Sequence, residues 1–248
     1  MSIFSWLKRN KLPVAPQGYF PIQTDIHSHI LPGIDDGSPD LETSIRLIEG
    51  LMQLGIKHSI ATPHIISDLY RNTPDSIQKA HGLLKAELAK RNMDFTVEYA
   101  AEYMMDTYFM DLVKNKEQLL TIHDNLILTE FSYAFMPDGI DRISFEIQVA
   151  GYKPILAHPE RYTYFYRDLK IYHRLAEYGF LFQVNLLSLT GAYGKEASKI
   201  AQYLLQNGMV SYLGTDLHHD RHMMMLTDPR TADIFHHHLS ERNWNEFA

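Results

Sequence analysis

The chain has 248 residues, of which 45% are hydrophobic, and its formal net charge at pH 7 is −7. This length and apolar content favour one large α/β domain over two smaller ones. The negative charge and the lack of a Lys/Arg block argue against nucleic acid as a partner, because binding to a phosphate backbone needs clustered cations. The sequence contains no cysteine, which excludes disulfides, thiolate metal sites and cysteine nucleophiles.

Residues 1–20 are predicted to be an N-terminal extension, and residues 21–248 a single domain. The extension has a few apolar residues but no long apolar core and no small-residue cleavage site. No segment approaches the roughly 20 apolar residues of a membrane span. We therefore expect a cytoplasmic protein without stable membrane insertion. Phe4, Trp6 and Leu7 are expected to pack on the domain, with contact to a membrane surface as the less favoured alternative.

Seven β-rich runs alternate with longer amphipathic stretches along the chain. The predicted strands, in order, are residues 22–27, 57–62, 96–101, 126–131, 154–158, 181–185 and 211–215. The predicted helices are residues 41–54, 74–91, 106–116, 141–150, 168–178, 195–206 and 228–247. Glycine directly follows several of these helices, as expected for a helix end. Repeated βα units imply parallel strands with helical crossovers, so the pattern predicts a closed or nearly closed barrel.

Groups that can bind a metal follow the apolar strands at their C-terminal ends, where such barrels carry their chemistry. His27 and His29 are two residues apart, so an extended strand would direct both to one ion. Burial of an unpaired carboxylate is costly, which makes a cation the natural partner of a carboxylate at the end of such a strand. Singly, each residue has an ordinary explanation in a turn or a loop; together they predict a polynuclear metal site. The candidate ligands are His27, His29, Asp36, His64, Glu102, Glu130, His158, Asp216 and His218.

For the other histidines and for several aromatic residues, the sequence gives weaker evidence of a role in the site. Most of the remaining histidines are expected on the surface or in packing, and His219 and His222 are kept as residues that could rim the site. Five aromatic side chains near the strand ends could flank an aromatic substrate ring or belong to the core, with no preference between the two. They are Tyr103, Phe131, Tyr133, Phe135 and Tyr162.

Seven motifs, in order between Thr24 and His222, resemble a known family. They are DIHSHILPGIDDG, ATPH, AAEY, EFS, ILAHPERY, QVN and GTDLH. The set resembles the polymerase and histidinol phosphatase (PHP) superfamily and, more closely, its manganese-dependent bacterial protein-tyrosine phosphatases of capsule and exopolysaccharide systems. The stretch before Asp25 is longer than in the shortest members, which leaves the role of this extension open.

The resemblance implies a distorted (βα)7 TIM-like barrel that holds three divalent ions. Manganese is favoured, and iron or zinc would suit the same nitrogen and oxygen ligands. The implied ligands are His27, His29, Glu102 and Asp216 for one ion, Glu102 as a bridge with Glu130 and His158 for a second, and Asp36, His64 and His218 for a third. Arg161 is implied as a contact to the substrate phosphate, and Arg221 as a second, weaker one.

The implied reaction is hydrolysis of phosphotyrosine, on the tyrosine-rich tail of a bacterial tyrosine kinase that controls polysaccharide export. Metal ions would activate a water to attack phosphorus, without a covalent phospho-enzyme. A tyrosyl leaving group, with a pKa of about 10, needs little help from a general acid. The alternatives are a small-molecule phosphatase of the histidinol-phosphate type, against which Glu130 argues, and a catalytically inactive metal-binding module, against which the full ligand set argues.

Overall fold

The computed structural model describes residues 19–247, which form nine strands and eight α-helices. The strands are β1 (Thr24–Ser28), β2 (His58–Ala61), β3 (His64–Ile65), β4 (Thr96–Tyr99), β5 (Glu102–Met104), β6 (Leu126–Glu130), β7 (Lys153–Ala157), β8 (Leu181–Asn185) and β9 (Val210–Gly214). The helices are α1 (Leu41–Gln53), α2 (Pro74–Lys90), α3 (Thr107–Lys114), α4 (Ile140–Val149), α5 (Lys170–Glu177), α6 (Lys195–Gln206), α7 (Asp220–Leu226) and α8 (Pro229–Leu239).

All strand pairs are parallel, and together they form a distorted barrel. One sheet has the order β1-β2-β4 and the other the order β3-β5-β6-β7-β8-β9. The amide of Asp216 donates to the carbonyl of His27 at 2.8 Å, and the amide of His29 donates to that of Leu217 at 2.9 Å, which joins the last strand to the first. The predicted seven-stranded α/β barrel is therefore confirmed.

Two of the seven predicted strands are interrupted. The second divides into β2 and β3 around Pro63, which has no amide hydrogen to continue a ladder. The third divides into β4 and β5 at Ala100 and Ala101. Single hydrogen bonds cross these breaks, from the amide of Ala100 to Ala61 at 2.8 Å and from that of Glu102 to Pro63 at 3.1 Å. Each broken pair therefore counts as one strand of the barrel, and the breaks produce its distortion.

The helices begin and end near the predicted residues because the local signals are strong. The Asp40 side chain accepts from the amide of Thr43 and begins α1, and Thr73 and Ser76 form a capping box at α2. Gly55 and Gly151 follow α1 and α4 with φ of 87° and 95°, a conformation that glycine adopts without strain.

The C-terminal part differs from the prediction in two ways. The last helix, predicted to reach residue 247, ends at Leu239, whose carbonyl accepts from the indole of Trp244 at 3.0 Å. Asn245 then has a φ of 59°, which a continuing helix does not allow. The short helix α7 was not predicted; it is capped by His219, whose side chain accepts from the amide of His222.

Two apolar clusters hold the fold together. The smaller one joins Ile26, Ile60, Leu128 and Ile155, which belong to four different strands, and therefore lies inside the barrel. The larger one fills the space between the barrel and its helices. No helix in the described part of the chain is long and apolar enough to cross a membrane. Phe4, Trp6 and Leu7 lie outside the described residues, so the expectation for them stays a prediction.

Candidate metal centre

Three strands, β1, β5 and β9, bring four candidate ligands together. His27 and His29 extend from the end of β1, Glu102 begins β5 and Asp216 follows β9. The Nε2 atoms of the two histidines are 3.2 Å apart. The Nε2 atom of His27 lies 3.3 Å from Oε2 of Glu102 and 3.4 Å from Oδ1 of Asp216, and that of His29 lies 3.4 and 3.6 Å from the same two oxygens.

Glu102 faces histidines with both of its carboxylate oxygens. Its Oε1 lies 3.0 Å from Nε2 of His158, whereas its Oε2 lies 3.1 Å from Nδ1 of His64. The same Nδ1 atom of His64 is 2.9 Å from Oε1 of Glu130. Glu130 is the last residue of β6 and His158 follows β7, so neighbouring strands deliver both. Glu102 therefore stands between several histidines, as a bridging carboxylate would.

A third group lies at the outer edge of the cluster. The Oδ1 atom of Asp36, in the loop after β1, is 3.5 Å from Nε2 of His64 and 3.6 Å from Nε2 of His218. The His29 and His218 rings stack with centroids 3.9 Å apart. Asp36, His64 and His218 thus come together with His29, and all nine predicted ligands lie in one connected cluster.

The chemistry of these residues fits bound divalent cations. Atoms about 2.1 Å from one ion lie about 3.4 Å apart in tetrahedral and about 3.0 Å apart in octahedral geometry, which matches the distances above. Among the described residues, five buried side-chain atoms have no hydrogen-bond partner, and three of them belong to this cluster: Nδ1 of His64, Oε2 of Glu102 and Oε1 of Glu130. Unsatisfied buried acceptors are costly, and a cation would satisfy these.

The electrostatics of the cluster depend on close pairing of opposite charges. Burial opposes ionisation of Asp216, but His27, His218 and Arg161 outweigh it and hold the pKa of this carboxyl well below its usual range. Burial also opposes a charge on His29, yet the Asp35 carboxylate raises the pKa of its imidazole to about 10. For His218, burial and the nearby His29 lower the pKa to about 3. These neighbours therefore favour an ionised Asp216 carboxylate, which a cation binds.

Sequence reasoning missed the residues that orient the ligands. Nδ1 of His29 lies 2.8 Å from Oδ2 of Asp35, and Nδ1 of His27 lies 2.7 Å from Oε1 of Gln183. The side-chain amide of Asn185 donates to Oδ2 of Asp216 at 2.6 Å. Partners of this kind fix the ring orientation of metal-binding histidines. Gln183 and Asn185 carried a usable signal, because two polar residues spaced by two in a buried strand face the same side.

Arg161 lies in the same cavity as the cluster. The cavity has a volume of about 240 Å³, and its lining includes Tyr133, Tyr193, His219 and His222 besides six of the nine ligand candidates. Nη1 of Arg161 donates to Oδ2 of Asp216 at 2.8 Å. Its guanidinium carbon is 5.0 Å from the ring centroid of Tyr133 and 4.3 Å from that of Tyr193. Arg221 is exposed on α7 and does not line this cavity.

The structure separates the five aromatic residues that the sequence left undecided. Tyr103, Phe131 and Tyr162 are fully buried and pack in the core. Tyr133 is partly exposed and stacks on His158 with ring centroids 5.7 Å apart, and Phe135 is exposed. A larger cavity of about 660 Å³ lies between α2 and β4, but none of the ligand candidates line it. We therefore place the function in the smaller cavity, where the unsatisfied polar atoms are.

Comparison with known proteins identifies the family. The family model described as "Capsular polysaccharide synthesis, CpsB/CapC" matches residues 23–232. The tyrosine-protein phosphatase YwqE of Bacillus subtilis is 32% identical over 196 residues, which are 78% of this chain and 76% of that protein. The tyrosine-protein phosphatase CpsB of Streptococcus pneumoniae is 28% identical over 203 residues, which are 78% of this chain and 82% of that protein.

A solved structure gives the same result. It is one of the crystal structures of YwqE from Bacillus subtilis and CpsB from Streptococcus pneumoniae, which are described as unique metal-dependent tyrosine phosphatases. The match has a TM-score of 0.79 and 28% identity, and covers 90% of this chain and 96% of that one. A Listeria monocytogenes lactonase, with a TM-score of 0.50 and 13% identity, shares the fold alone. From the family match and the shared fold we conclude that this chain belongs to the CpsB/CapC family of capsular polysaccharide synthesis proteins.

Proposed function

We propose that the chain is a metal-dependent protein-tyrosine phosphatase. The observation that carries this proposal is the connected cluster of nine His, Asp and Glu side chains, with Arg161 in the same cavity. Hydrolysis of a phosphate monoester needs positive charge at the phosphoryl oxygens, which metal ions and an arginine supply. The phosphatase names of the relatives support phosphotyrosine as the substrate.

We infer that the cluster binds three ions, with the ligand sets that the family resemblance implies. His27, His29, Glu102 and Asp216 would hold the first, and their mutual distances support this set. Glu102 would bridge to a second ion shared with Glu130 and His158. Asp36, His64 and His218 would hold the third, and their proximity supports it. The mixed nitrogen and oxygen ligands suit manganese, which we propose over iron or zinc.

Different residues would bind the metal ions, contact the phosphoryl oxygens and pack against the leaving group. Bound divalent ions would supply a nucleophilic hydroxide from water and neutralise charge. Asp216 holds one nitrogen of the Arg161 guanidinium, which leaves its other N–H groups for phosphoryl oxygens. Tyr133 offers a ring face beside His158, against which an aryl leaving group can lie. A phenol leaving group has a pKa of about 10, so we propose that hydrolysis proceeds without a general acid.

The two arginines are expected to differ in their effect on turnover. Arg161→Ala removes a guanidinium from the cavity, so we expect kcat/KM for an aryl phosphate to fall by about 100-fold or more. We retain Arg221 as a second phosphate contact because it lies on α7 between His219 and His222, which line the cavity. Since Arg221 itself is exposed, Arg221→Ala should have the smaller effect. Unchanged turnover in Arg161→Ala would contradict the phosphate contact.

We propose that the substrate is the tyrosine-rich tail of a bacterial tyrosine kinase that regulates capsule or exopolysaccharide synthesis. The capsular description of the family supports this substrate. Because such a kinase consumes ATP, we place the reaction in the cytoplasm. We also retain the proposal of one domain over residues 21–248, with residues 1–20 as an extension.

The deciding experiment compares two phosphate esters under the same conditions. The protein is chelated, and phosphate release is measured from a phosphotyrosine peptide and from histidinol phosphate before and after Mn²⁺ is added. We expect Mn²⁺ to restore turnover of the peptide alone. A preference for histidinol phosphate would identify a small-molecule phosphatase, and turnover of neither ester would favour a binding module or a different phosphoester as substrate.

A further inference from the structure

Tyr193 lies in the candidate metal centre but has no role in the function described so far. It is located between β8 and α6, in a turn bounded by Gly191 and Gly194, both with positive φ. Its ring stands 4.3 Å from the guanidinium carbon of Arg161 and contacts the His222 ring edge-on at 6.2 Å. The residue lines the same cavity as the cluster. The Tyr193 ring therefore lies between the Arg161 guanidinium and the His222 ring.

The hydroxyl of Tyr193 is buried and has no hydrogen-bond partner within residues 19–247. Asn185 lies close to this hydroxyl and lowers its pKa, but the Asn185 side-chain amide donates to Asp216 and forms no hydrogen bond of normal geometry with the hydroxyl. Buried tyrosine hydroxyls elsewhere in the fold are paired: that of Tyr103 accepts from the amide of Leu120 at 2.8 Å, and that of Tyr162 donates to Ala157 at 3.2 Å. An unpaired buried hydroxyl destabilises the fold, so its retention in a cavity points to a ligand.

The surroundings of the hydroxyl determine what kind of ligand it can meet. Burial is the largest cause that raises the pKa of Tyr193, and Asp216 adds to it, so the phenol keeps its proton. A neutral phenol beside a guanidinium is a hydrogen-bond donor in a site built for anions. A phosphoryl group bound by Arg161 would bring acceptor oxygens to this donor.

We propose that Tyr193 is a substrate-contacting residue, whose hydroxyl donates a hydrogen bond to a non-bridging phosphoryl oxygen while its ring positions the Arg161 guanidinium. The inference rests on the proposed phosphatase function. No proton is transferred in this contact, and no bond of the substrate is broken by it. The ring contributes through its cation–π contact, which restricts the guanidinium to one orientation.

The substitution Tyr193→Phe tests the hydroxyl separately from the ring. In the metal-loaded full chain, we expect kcat/KM for a phosphotyrosine peptide to fall by about 10- to 100-fold, as for loss of a hydrogen bond to a charged group. The affinity for inorganic phosphate, measured by calorimetry, should fall by a similar factor. The melting temperature of the chelated variant should stay equal or rise, because no internal hydrogen bond is lost.

A matched control is Tyr103→Phe, which removes a paired hydroxyl from the core. This variant leaves the amide of Leu120 without its partner, so we expect a lower melting temperature and unchanged kcat/KM. The opposite pattern in the two variants distinguishes a substrate contact from a structural role.

Two results would overturn the proposal. One is a Tyr193→Phe variant with the phosphate affinity and kcat/KM of the unmodified chain. The other is a loss that grows with the pKa of the phenol leaving group across a series of aryl phosphates, which would mean that the hydroxyl acts on the leaving oxygen. If the unmodified chain hydrolyses no phosphotyrosine peptide, the proposed function fails, whereas the phosphate titration still tests Tyr193.

Discussion

Two of the candidate ligands have a strained backbone. His158 and Asp216 have φ of 35° and 51°, in the left-handed region that residues other than glycine rarely adopt. Such a conformation costs on the order of 1–3 kcal/mol and is typically found at functional sites. His158 directly follows β7, and Asp216 comes two residues after the end of β9. Backbone strain therefore occurs at two candidate metal ligands that lie at the C-terminal ends of barrel strands.

The substitution His158→Asn separates the ligand from the backbone conformation. Asparagine tolerates the left-handed region, so the fold should remain intact by circular dichroism. Loss of the imidazole should lower the metal content and reduce turnover by about 100-fold or more. His81→Asn is the control, because His81 contacts the carbonyl of Val97 and the ring of Tyr99 and lies outside the cluster. Full metal content and turnover in His158→Asn would contradict its assignment as a ligand.

Asp35 is expected to control metal affinity without binding the ion itself. Its carboxylate contacts Nδ1 of His29 at 2.8 Å and accepts from the amide of His64 at 3.2 Å. Asp35→Asn keeps the shape but removes the charge, so we expect the metal affinity to fall by about 10- to 100-fold. Competition with a chromogenic chelator measures this change. The control Glu98→Gln makes the same change in the exposed pair with His58 and should leave the affinity unaltered.

At the scale of elements, the loop between β1 and α1 packs closely against a ligand. A Cβ atom at Gly37 would overlap the carbonyl oxygen and the Cβ of His29. The amide of Gly37 donates to Oδ1 of Asp35 at 3.0 Å, and that of Ser38 donates to the carbonyl of His29 at 2.9 Å. Only glycine allows this loop to approach the first strand so closely, and the approach brings Asp36 to the cluster.

The same glycine-to-alanine change should have opposite effects at two positions. Gly37→Ala forces the loop away from His29, so we expect the free energy of unfolding to fall by about 1–3 kcal/mol and metal binding to weaken. Gly82 lies in α2 with open space where a Cβ would be, so Gly82→Ala should stabilise the protein by about 0.5–1 kcal/mol. Chemical denaturation measures both. Equal effects in the two variants would contradict the close approach at Gly37.

The sequence predicts elements well where the physical signal is local. Helix caps such as Asp40 and the apolar strand runs place most elements within a few residues, and the ligands were visible because imidazoles and carboxylates rarely end apolar strands. The break at Pro63 also has a local cause, which the prediction overlooked, whereas α7 and the end of α8 at Leu239 have only weak local signals, a histidine cap at His219 and the indole of Trp244. Tyr193 was missed because its significance appears only when the fold brings it to Arg161.

The stability of the metal-free protein and the stabilisation gained from bound metal should depend on pH in opposite ways. In the metal-free protein, burial opposes charge on His29 but Asp35 outweighs it, which raises the pKa from 6.5 to about 10. For His27, burial is likewise outweighed, by Glu102 and Asp216, and the pKa is raised. The folded state then binds more protons than the unfolded chain above pH 6.5, so the stability of the chelated protein falls as the pH rises toward 10.

Metal binding needs these imidazoles neutral, so it releases protons and strengthens as the pH rises. We therefore expect the stabilisation by Mn²⁺, measured as the difference in melting temperature between loaded and chelated protein, to increase between pH 6.5 and 10. Calorimetric titration in buffers of different ionisation enthalpy should show proton release. A stabilisation by Mn²⁺ that is independent of pH would contradict protonation of His27 and His29 in the metal-free state.

The seam between the first and last strands has a consequence for biosynthesis. His27 and Asp216 are joined there by a backbone hydrogen bond and also share the first candidate ion site, although almost the whole domain separates them in the chain. Contacts so distant in sequence form slowly and late. A nascent chain still on the ribosome, before β9 has emerged, lacks this half of the site. We therefore expect the first candidate ion site to form only after β9 and Asp216 have left the ribosome.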